Sequence, residues 1–127
     1  GYKKICAEGL DTRYKYNKEF LTASTYAGIA FGNAGTGAVH AMSYPLGAKY
    51  HVPHGEANYA IFTGVFKTYQ KKNPDGAIHT LNETIATILG CDISCVYEEL
   101  EALLNQLLPR NIFENHNFHR LVLKLCM

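Results

Sequence analysis

Two histidines, His40 and His54, lie in the part of the chain with the strongest chemical character. His40 belongs to an apolar segment with helical spacing, and His54 follows Pro53 at the start of the next predicted helix. Neutral imidazole is the commonest metal ligand among side chains. Because zinc takes three or four protein ligands, two imidazoles cannot complete a site. The pair predicts half of a metal centre, and a pair of hydrogen-bonded core histidines is the alternative that the residues leave open.

The glycines next to His40 do not form a phosphate-binding motif. Gly32, Gly35 and Gly37 lack the spacing of a dinucleotide fingerprint, and no Gly-Lys-Ser or Gly-Lys-Thr ending follows them. Small residues also let two helices approach closely. We therefore expect this cluster to serve helix packing.

Hydrophobic spacing and end signals predict helices almost throughout, and nothing indicates a domain boundary. Thr36 is expected to cap the helix that carries His40 and Tyr44, and Pro45 to kink it. Asp92 or Ser94 is expected to cap the fifth helix, whose apolar stripe runs from Val96 to Leu107. The predicted fold is an all-α helical bundle. Its first helices cover 17–31, the segment that follows Thr36, and a stretch from after Pro53 towards Gln70. A fourth covers about 77–89, a fifth is ended by Pro109, and a sixth lies in the tail.

Charge and cysteine content exclude several classes of partner. The chain has 12 basic and 11 acidic residues, and its longest basic cluster is Lys71-Lys72. It therefore lacks the positive surface that nucleic acid or anionic lipid requires, and we expect neither as a partner. The four cysteines show neither a redox pair nor a zinc-knuckle spacing, which favours reduced thiols in a cytoplasmic protein.

Residues 20–48 contain no Asp, Glu, Lys or Arg. The stretch is long enough to span a bilayer, but Asn33, His40, Pro45 and several glycines interrupt it. We therefore expect buried core and the wall of an active site, and no membrane span.

The segments 27–47 and 53–58 resemble the signature of the iron-containing (group III) alcohol dehydrogenases. The resemblance implies that the helices are part of the C-terminal domain of this fold, which is shared with dehydroquinate synthase-like enzymes. In that family an Asp and a His, with three residues between them, supply two metal ligands upstream of the position matched by His40. We expect residues 1–127 to be an incomplete helical metal-binding domain, without those two ligands and without the N-terminal cofactor domain.

The resemblance also implies the chemistry. Fe²⁺ or Zn²⁺, held by one carboxylate and three imidazoles that include His40 and His54, would act as a Lewis acid on an alcohol oxygen. Hydride would pass to NAD(P) bound by the N-terminal domain, and the reverse reaction would reduce an aldehyde. Residues 43–59 are most similar to family members that oxidise 4-hydroxybutyrate to succinate semialdehyde.

Three further residues receive roles from the resemblance alone. Phe31 matches an aromatic residue that lines the substrate side, and Asn58 is expected to support the metal ligands. Tyr44 stands where most members carry a second His near the nicotinamide. Because the pKa of a phenol is far above that of imidazole, we expect Tyr44 to fill the substrate pocket and not to relay protons. No residue of the chain is predicted to be a catalytic acid or base.

Two other classes of function remain open. One is a different enzyme on the same architecture, a glycerol dehydrogenase or a dehydroquinate synthase-like enzyme, which the sequence upstream of Gly1 would distinguish. The other is a helical interaction module without catalysis, which metal content would distinguish. A homo-oligomer is compatible with all of them.

Overall fold

All regular structure in residues 1–108, the part that the computed structural model describes, is helical. The all-α prediction is thus confirmed for these residues, and the predicted tail helix lies outside them. No helix among them is long and apolar enough to cross a membrane. The helices are α1 (Tyr2–Glu8), α2 (Asn17–Ala34), α3 (Ala38–Tyr50), α4 (His54–Lys72), α5 (Ala77–Leu89) and α6 (Val96–Leu107), with 3₁₀ helices at Leu10–Tyr16 before α2 and Ile93–Cys95 before α6.

Local signals account for the junction between α5 and α6. Helix α5 ends at Gly90, which adopts a left-handed conformation with φ 78° that glycine tolerates without steric cost. The Asp92 carboxylate then accepts a hydrogen bond of 2.8 Å from the backbone N–H of Ser94. Hydrogen bonding by the Ser94 side chain, together with this backbone bond, holds the pKa of Asp92 below its ordinary value. Asp92 therefore caps the 3₁₀ helix through which the chain enters α6. The prediction that Asp92 or Ser94 caps α6 itself is wrong, because α6 begins after Cys95 without a side-chain cap.

The predicted Thr36 cap is wrong. Helix α3 begins at Ala38 after Gly37, with no side-chain cap at that position. The N–H of Ala38 instead donates to the Tyr69 hydroxyl at 3.1 Å. A tertiary contact from α4 therefore provides the acceptor for the first N–H of α3. A cap of this kind has no local sequence signal.

The expectation of buried, closely packed glycines is also wrong for α2. Residues 21–37 are all exposed, and a Cβ at Gly28 or Gly32 would have no described atom within 4 Å apart from its chain neighbours and the backbone of its own helix. Gly35 ends the helix with φ 77° and ψ −174°, a conformation that is essentially confined to glycine. The glycine requirement here comes from the turn.

The first core lies between α3 and α4. Leu46 packs on Ala57 and Ile61, and all three are almost fully buried. The connection between the two helices is only three residues long. It turns through His51, which is left-handed with φ 55°, and Pro53, which is extended with φ −54° and ψ 140° and precedes α4.

The second core joins α4, α5 and α6. Val96 and Tyr97 pack on Ala86, with Phe66 of α4 against them. The Tyr97 hydroxyl donates to Asn82 Oδ1 at 2.8 Å, and Asn82 Nδ2 donates to Gln70 Oε1 at 2.8 Å. Burial raises the pKa of Tyr97. The bonds of Asn82 therefore tie three helices together in the interior.

Replacing Asn82 by Ala should destabilise the fold by about 1–3 kcal/mol, because the buried Tyr97 hydroxyl and the partly buried Gln70 amide lose their partner. Asn105→Ala, at an exposed position of α6, is the matched control and should change stability by less than about 0.5 kcal/mol. Urea denaturation followed by circular dichroism measures both. Equal effects of the two substitutions would contradict the bridging role of Asn82.

Candidate metal centre

His40 on α3 and His54 at the start of α4 meet in space. His40 Nδ1 lies 3.0 Å from His54 Nε2, and the ring centroids are 5.0 Å apart. At this distance the two nitrogens share a hydrogen bond, so one of them carries a proton. The packing of α3 on α4 thus converts a spacing of fourteen residues into direct contact.

Asn58, one helical turn after His54, faces both imidazoles. Its Nδ2 lies 3.2 Å from His54 Nε2 and 3.5 Å from His40 Nδ1. Its Oδ1 is buried and has no hydrogen-bond partner among the described residues. The amide therefore lies beside the facing ring nitrogens.

Two aromatic side chains flank the imidazole pair. The Phe31 ring, near the end of α2, has its centroid 5.8 Å from that of His40. The Tyr44 ring stacks on His54 with centroids 5.6 Å apart and an angle of 18° between the planes. Tyr44 and Phe31 remain 63% and 52% exposed, so their outer faces are open to a ligand.

The arrangement fits half of a metal centre. Two nitrogens bound to one zinc ion at about 2.0–2.1 Å in tetrahedral geometry lie about 3.3 Å apart, close to the separation of the two imidazole nitrogens. No group of three or more His, Cys, Asp or Glu side chains that could hold a metal occurs within residues 1–108. A buried amide oxygen without a partner, Asn58 Oδ1, adds an unused polar group to the same place. The donors suit iron or zinc, and further ligands must complete the site.

Three other potential ligands of residues 1–108 have different surroundings. His51 forms the left-handed end of α3, and His79 lies 3.5 Å from Glu83 within α5. Burial and the neighbouring Cys95 raise the pKa of the Cys91 thiol, which disfavours the thiolate that metals bind. None of the three adds a donor to His40 and His54.

Ser43 is a member of this cluster that the residue pattern did not indicate. Its hydroxyl lies 2.8 Å from the His40 carbonyl oxygen and 3.1 Å from His54 Nδ1, and the residue is 1% exposed. Its position one turn after His40 is the only sequence signal, and many helical serines share that spacing.

Comparison with known proteins assigns the chain to a family. The sequence model described as "Fe-containing alcohol dehydrogenase family, C-terminal" matches residues 1–124.

The chain belongs to the iron-containing alcohol dehydrogenase family.

Curated relatives agree with this family membership. The 4-hydroxybutyrate dehydrogenase of Clostridium kluyveri is 56% identical over 110 residues, which is 87% of this chain and 30% of that protein. The long-chain-alcohol dehydrogenase 1 of Geobacillus thermodenitrificans is 43% identical over 56 residues, 44% of this chain and 14% of the relative. The 1,3-propanediol dehydrogenase of Citrobacter freundii is 39% identical over 69 residues, 54% of this chain and 18% of the relative.

This family member thus spans less than a third of the length of these relatives. No solved structure matched the chain.

We predict that Zn²⁺ binds weakly to the 127-residue chain through His40 and His54. Loss of a group that supports a metal ligand weakens metal affinity roughly tenfold or more, and loss of the ligand itself should cost at least as much. His40→Ala and His54→Ala should therefore each weaken Zn²⁺ binding by about tenfold or more. His79→Ala, on the exposed side of α5, should leave it unchanged. Titration calorimetry at neutral pH measures the affinities. An unchanged affinity in both ligand variants would remove the pair from the site.

Proposed function

We propose that this chain forms part of an NAD(P)-dependent 4-hydroxybutyrate dehydrogenase, which oxidises 4-hydroxybutyrate reversibly to succinate semialdehyde. The observation that carries the proposal is the contact between His40 and His54 at 3.0 Å in a chain of this family. The choice of substrate is supported by the 56% identity to the Clostridium kluyveri enzyme.

In this proposal His40 and His54 supply two of four ligands to Fe²⁺ or Zn²⁺. One carboxylate and one further imidazole, from the part of the enzyme outside this chain, complete the set. When bound, the ion supplies Lewis acidity that lowers the proton affinity of the alcohol oxygen near neutral pH. NAD(P), held by a domain outside this chain, would supply the hydride acceptor.

The residues of this chain bind and orient the alcohol. Phe31 and Tyr44 provide apolar ring faces beside His40 and His54, and their exposed outer faces are available to the alcohol. Asn58 holds its amide against the two ring nitrogens and restricts their movement. Tyr44 lies face to face with His54, an arrangement that suits packing.

The carboxylate of a 4-hydroxy acid calls for a cation, and two bases near the signature are candidates in sequence. Lys49 lies over the ring of Tyr50, with Nζ 5.3 Å from the centroid. Arg13 donates to the Leu10 carbonyl and to the Tyr14 hydroxyl. Neither makes a described contact with the imidazole pair, so the substrate assignment is supported by similarity and the metal assignment by geometry.

The proposed enzyme works in the cytoplasm. Cys6, Cys91 and Cys95 are free thiols, the state that a reducing compartment maintains. Its small-molecule substrates are an alcohol and the corresponding aldehyde.

The function is tested by a chimera in which this chain replaces the matching segment of the Clostridium kluyveri enzyme. With Fe²⁺ or Zn²⁺ and NAD⁺, the chimera should oxidise 4-hydroxybutyrate in preference to glycerol, 1-propanol and 1,3-propanediol. The 127-residue chain alone should show no turnover, because two imidazoles are fewer than the three protein ligands of a catalytic zinc site. NADH absorbance at 340 nm records the rate.

The matched control is the same chimera with His40→Ala, which should fold but lose activity. A folded chimera that holds metal and prefers another alcohol would contradict the assigned substrate. Turnover by the isolated chain, or by the His40→Ala chimera, would contradict the assigned metal ligands.

Tyr44→Phe in the chimera should change kcat by less than about threefold, because stacking on His54 does not need the hydroxyl. A role in proton transfer would instead cost about a hundredfold, the usual scale for loss of a general acid or base. Comparing kcat of Tyr44→Phe and Tyr44→His from pH 6 to 10 separates the two roles. A large loss in the Phe variant, restored by His with an optimum nearer neutral pH, would show that Tyr44 transfers a proton.

A further inference from the structure

The Ser43 hydroxyl is buried between the two imidazole-bearing helices. Its Oγ lies 2.8 Å from the backbone carbonyl oxygen of His40 and 3.1 Å from His54 Nδ1. The residue is 1% exposed, so water cannot substitute for either contact. Both hydrogen bonds must therefore be made by the one hydroxyl group.

The number of protons decides the direction of each bond. A serine hydroxyl has one proton to donate, and a carbonyl oxygen can only accept. The Ser43 proton therefore points to the His40 carbonyl, because the opposite orientation would place two oxygen lone pairs against each other at 2.8 Å. Ser43 Oγ must then accept from His54, and the donor is the Nδ1–H of that ring.

This direction fixes the chemical state of the other ring nitrogen. A neutral imidazole carries one N–H, so a proton on Nδ1 leaves a lone pair on Nε2. His54 Nε2 is the atom that faces His40 Nδ1 at 3.0 Å and Asn58 Nδ2 at 3.2 Å. A metal ion requires that lone pair.

The ring is held in two directions. Tyr44 covers one face of the His54 imidazole, and the bond to Ser43 lies along its edge. Stacking resists tilting of the ring, and the edge bond resists its rotation. Ser43 and Tyr44 are adjacent on α3, so one helical turn supplies both contacts.

We propose that Ser43 is a positioning residue that holds the proton of His54 on Nδ1 and aims Nε2 at the metal position. Histidine ligands commonly donate their second ring N–H to an oxygen atom, which sets their tautomer and orientation. Here the oxygen is Ser43 Oγ, and the Ser43 proton is donated to the backbone carbonyl oxygen of His40, the other proposed ligand. The use of this device for metal binding rests on the proposed function, whereas the tautomer is a property of the metal-free chain.

The first test is the tautomer of His54 in the 127-residue chain labelled with ¹⁵N-histidine. Long-range ¹H–¹⁵N correlation spectra are recorded at about pH 9, well above the ordinary imidazole pKa of about 6.5, and His54→Ala assigns the signals. The expected result is Nδ1–H in the parent chain and loss of that preference in Ser43→Ala. Ser43→Thr, which keeps the hydroxyl, should retain it, and Ser24→Ala on exposed α2 controls for an unrelated serine.

Circular dichroism establishes that each variant is folded. An Nε2–H signal for His54 in the parent chain, or an unchanged Nδ1–H preference in folded Ser43→Ala, would overturn the inference. Alanine fills nearly the same volume as serine, so a purely packing role would leave the tautomer unmoved.

The second test is Zn²⁺ affinity by calorimetry, which should fall about tenfold to a hundredfold in Ser43→Ala, the usual cost of losing such a partner. Absence of zinc binding in every variant would overturn the proposed metal site while the tautomer result still stands. Zinc binding of equal strength in the parent chain and Ser43→Ala would overturn the positioning role.

Discussion

The packing of α3 on α4 is the contact on which the candidate site depends. Leu46, Ala57 and Ile61 are withdrawn from water at this junction, and burial of apolar surface stabilises such a contact by about 25 cal/mol per Å². The three-residue turn leaves little freedom between the helices. With both backbones fixed in this way, His40 and His54 meet, and Tyr69 of α4 satisfies the first N–H of α3.

Helix α2 stands in contrast to this pair. It is free of Asp, Glu, Lys and Arg after Glu19, yet residues 21–34 are exposed, including Leu21, Tyr26 and Ile29. Periodicity and composition correctly predicted a helix here but wrongly predicted its burial. The chain covers less than a third of the length of its relatives. A large exposed apolar surface marks a place where a protein contacts another surface. Apolar composition therefore predicts the burial of a helix for a complete protein, and not for a part of it taken alone.

The elements with local signals were the ones that the sequence predicted well. The bounds of helix α5 followed from spacing and end signals, and Asp92 was found as a cap because its side chain reaches a nearby N–H. The His40 and His54 positions were found by residue type, but their contact is tertiary. Features without a local signature were missed: the Tyr69 contact, the hydroxyl of Ser43, and the helices before residue 17.

The geometry of His40, His54 and Asn58 resembles what a metal site needs. Asn58 keeps a buried oxygen without a described partner, and an unsatisfied buried polar group costs about 1–3 kcal/mol. Such a cost persists in a fold when the position serves something other than stability. The imidazole nitrogens are already 3.0 Å apart and their rings are stacked or hydrogen-bonded on several sides. Binding an ion would therefore require displacement of the shared proton more than movement of side chains, and the affinity should depend on how firmly α3 and α4 hold their contact.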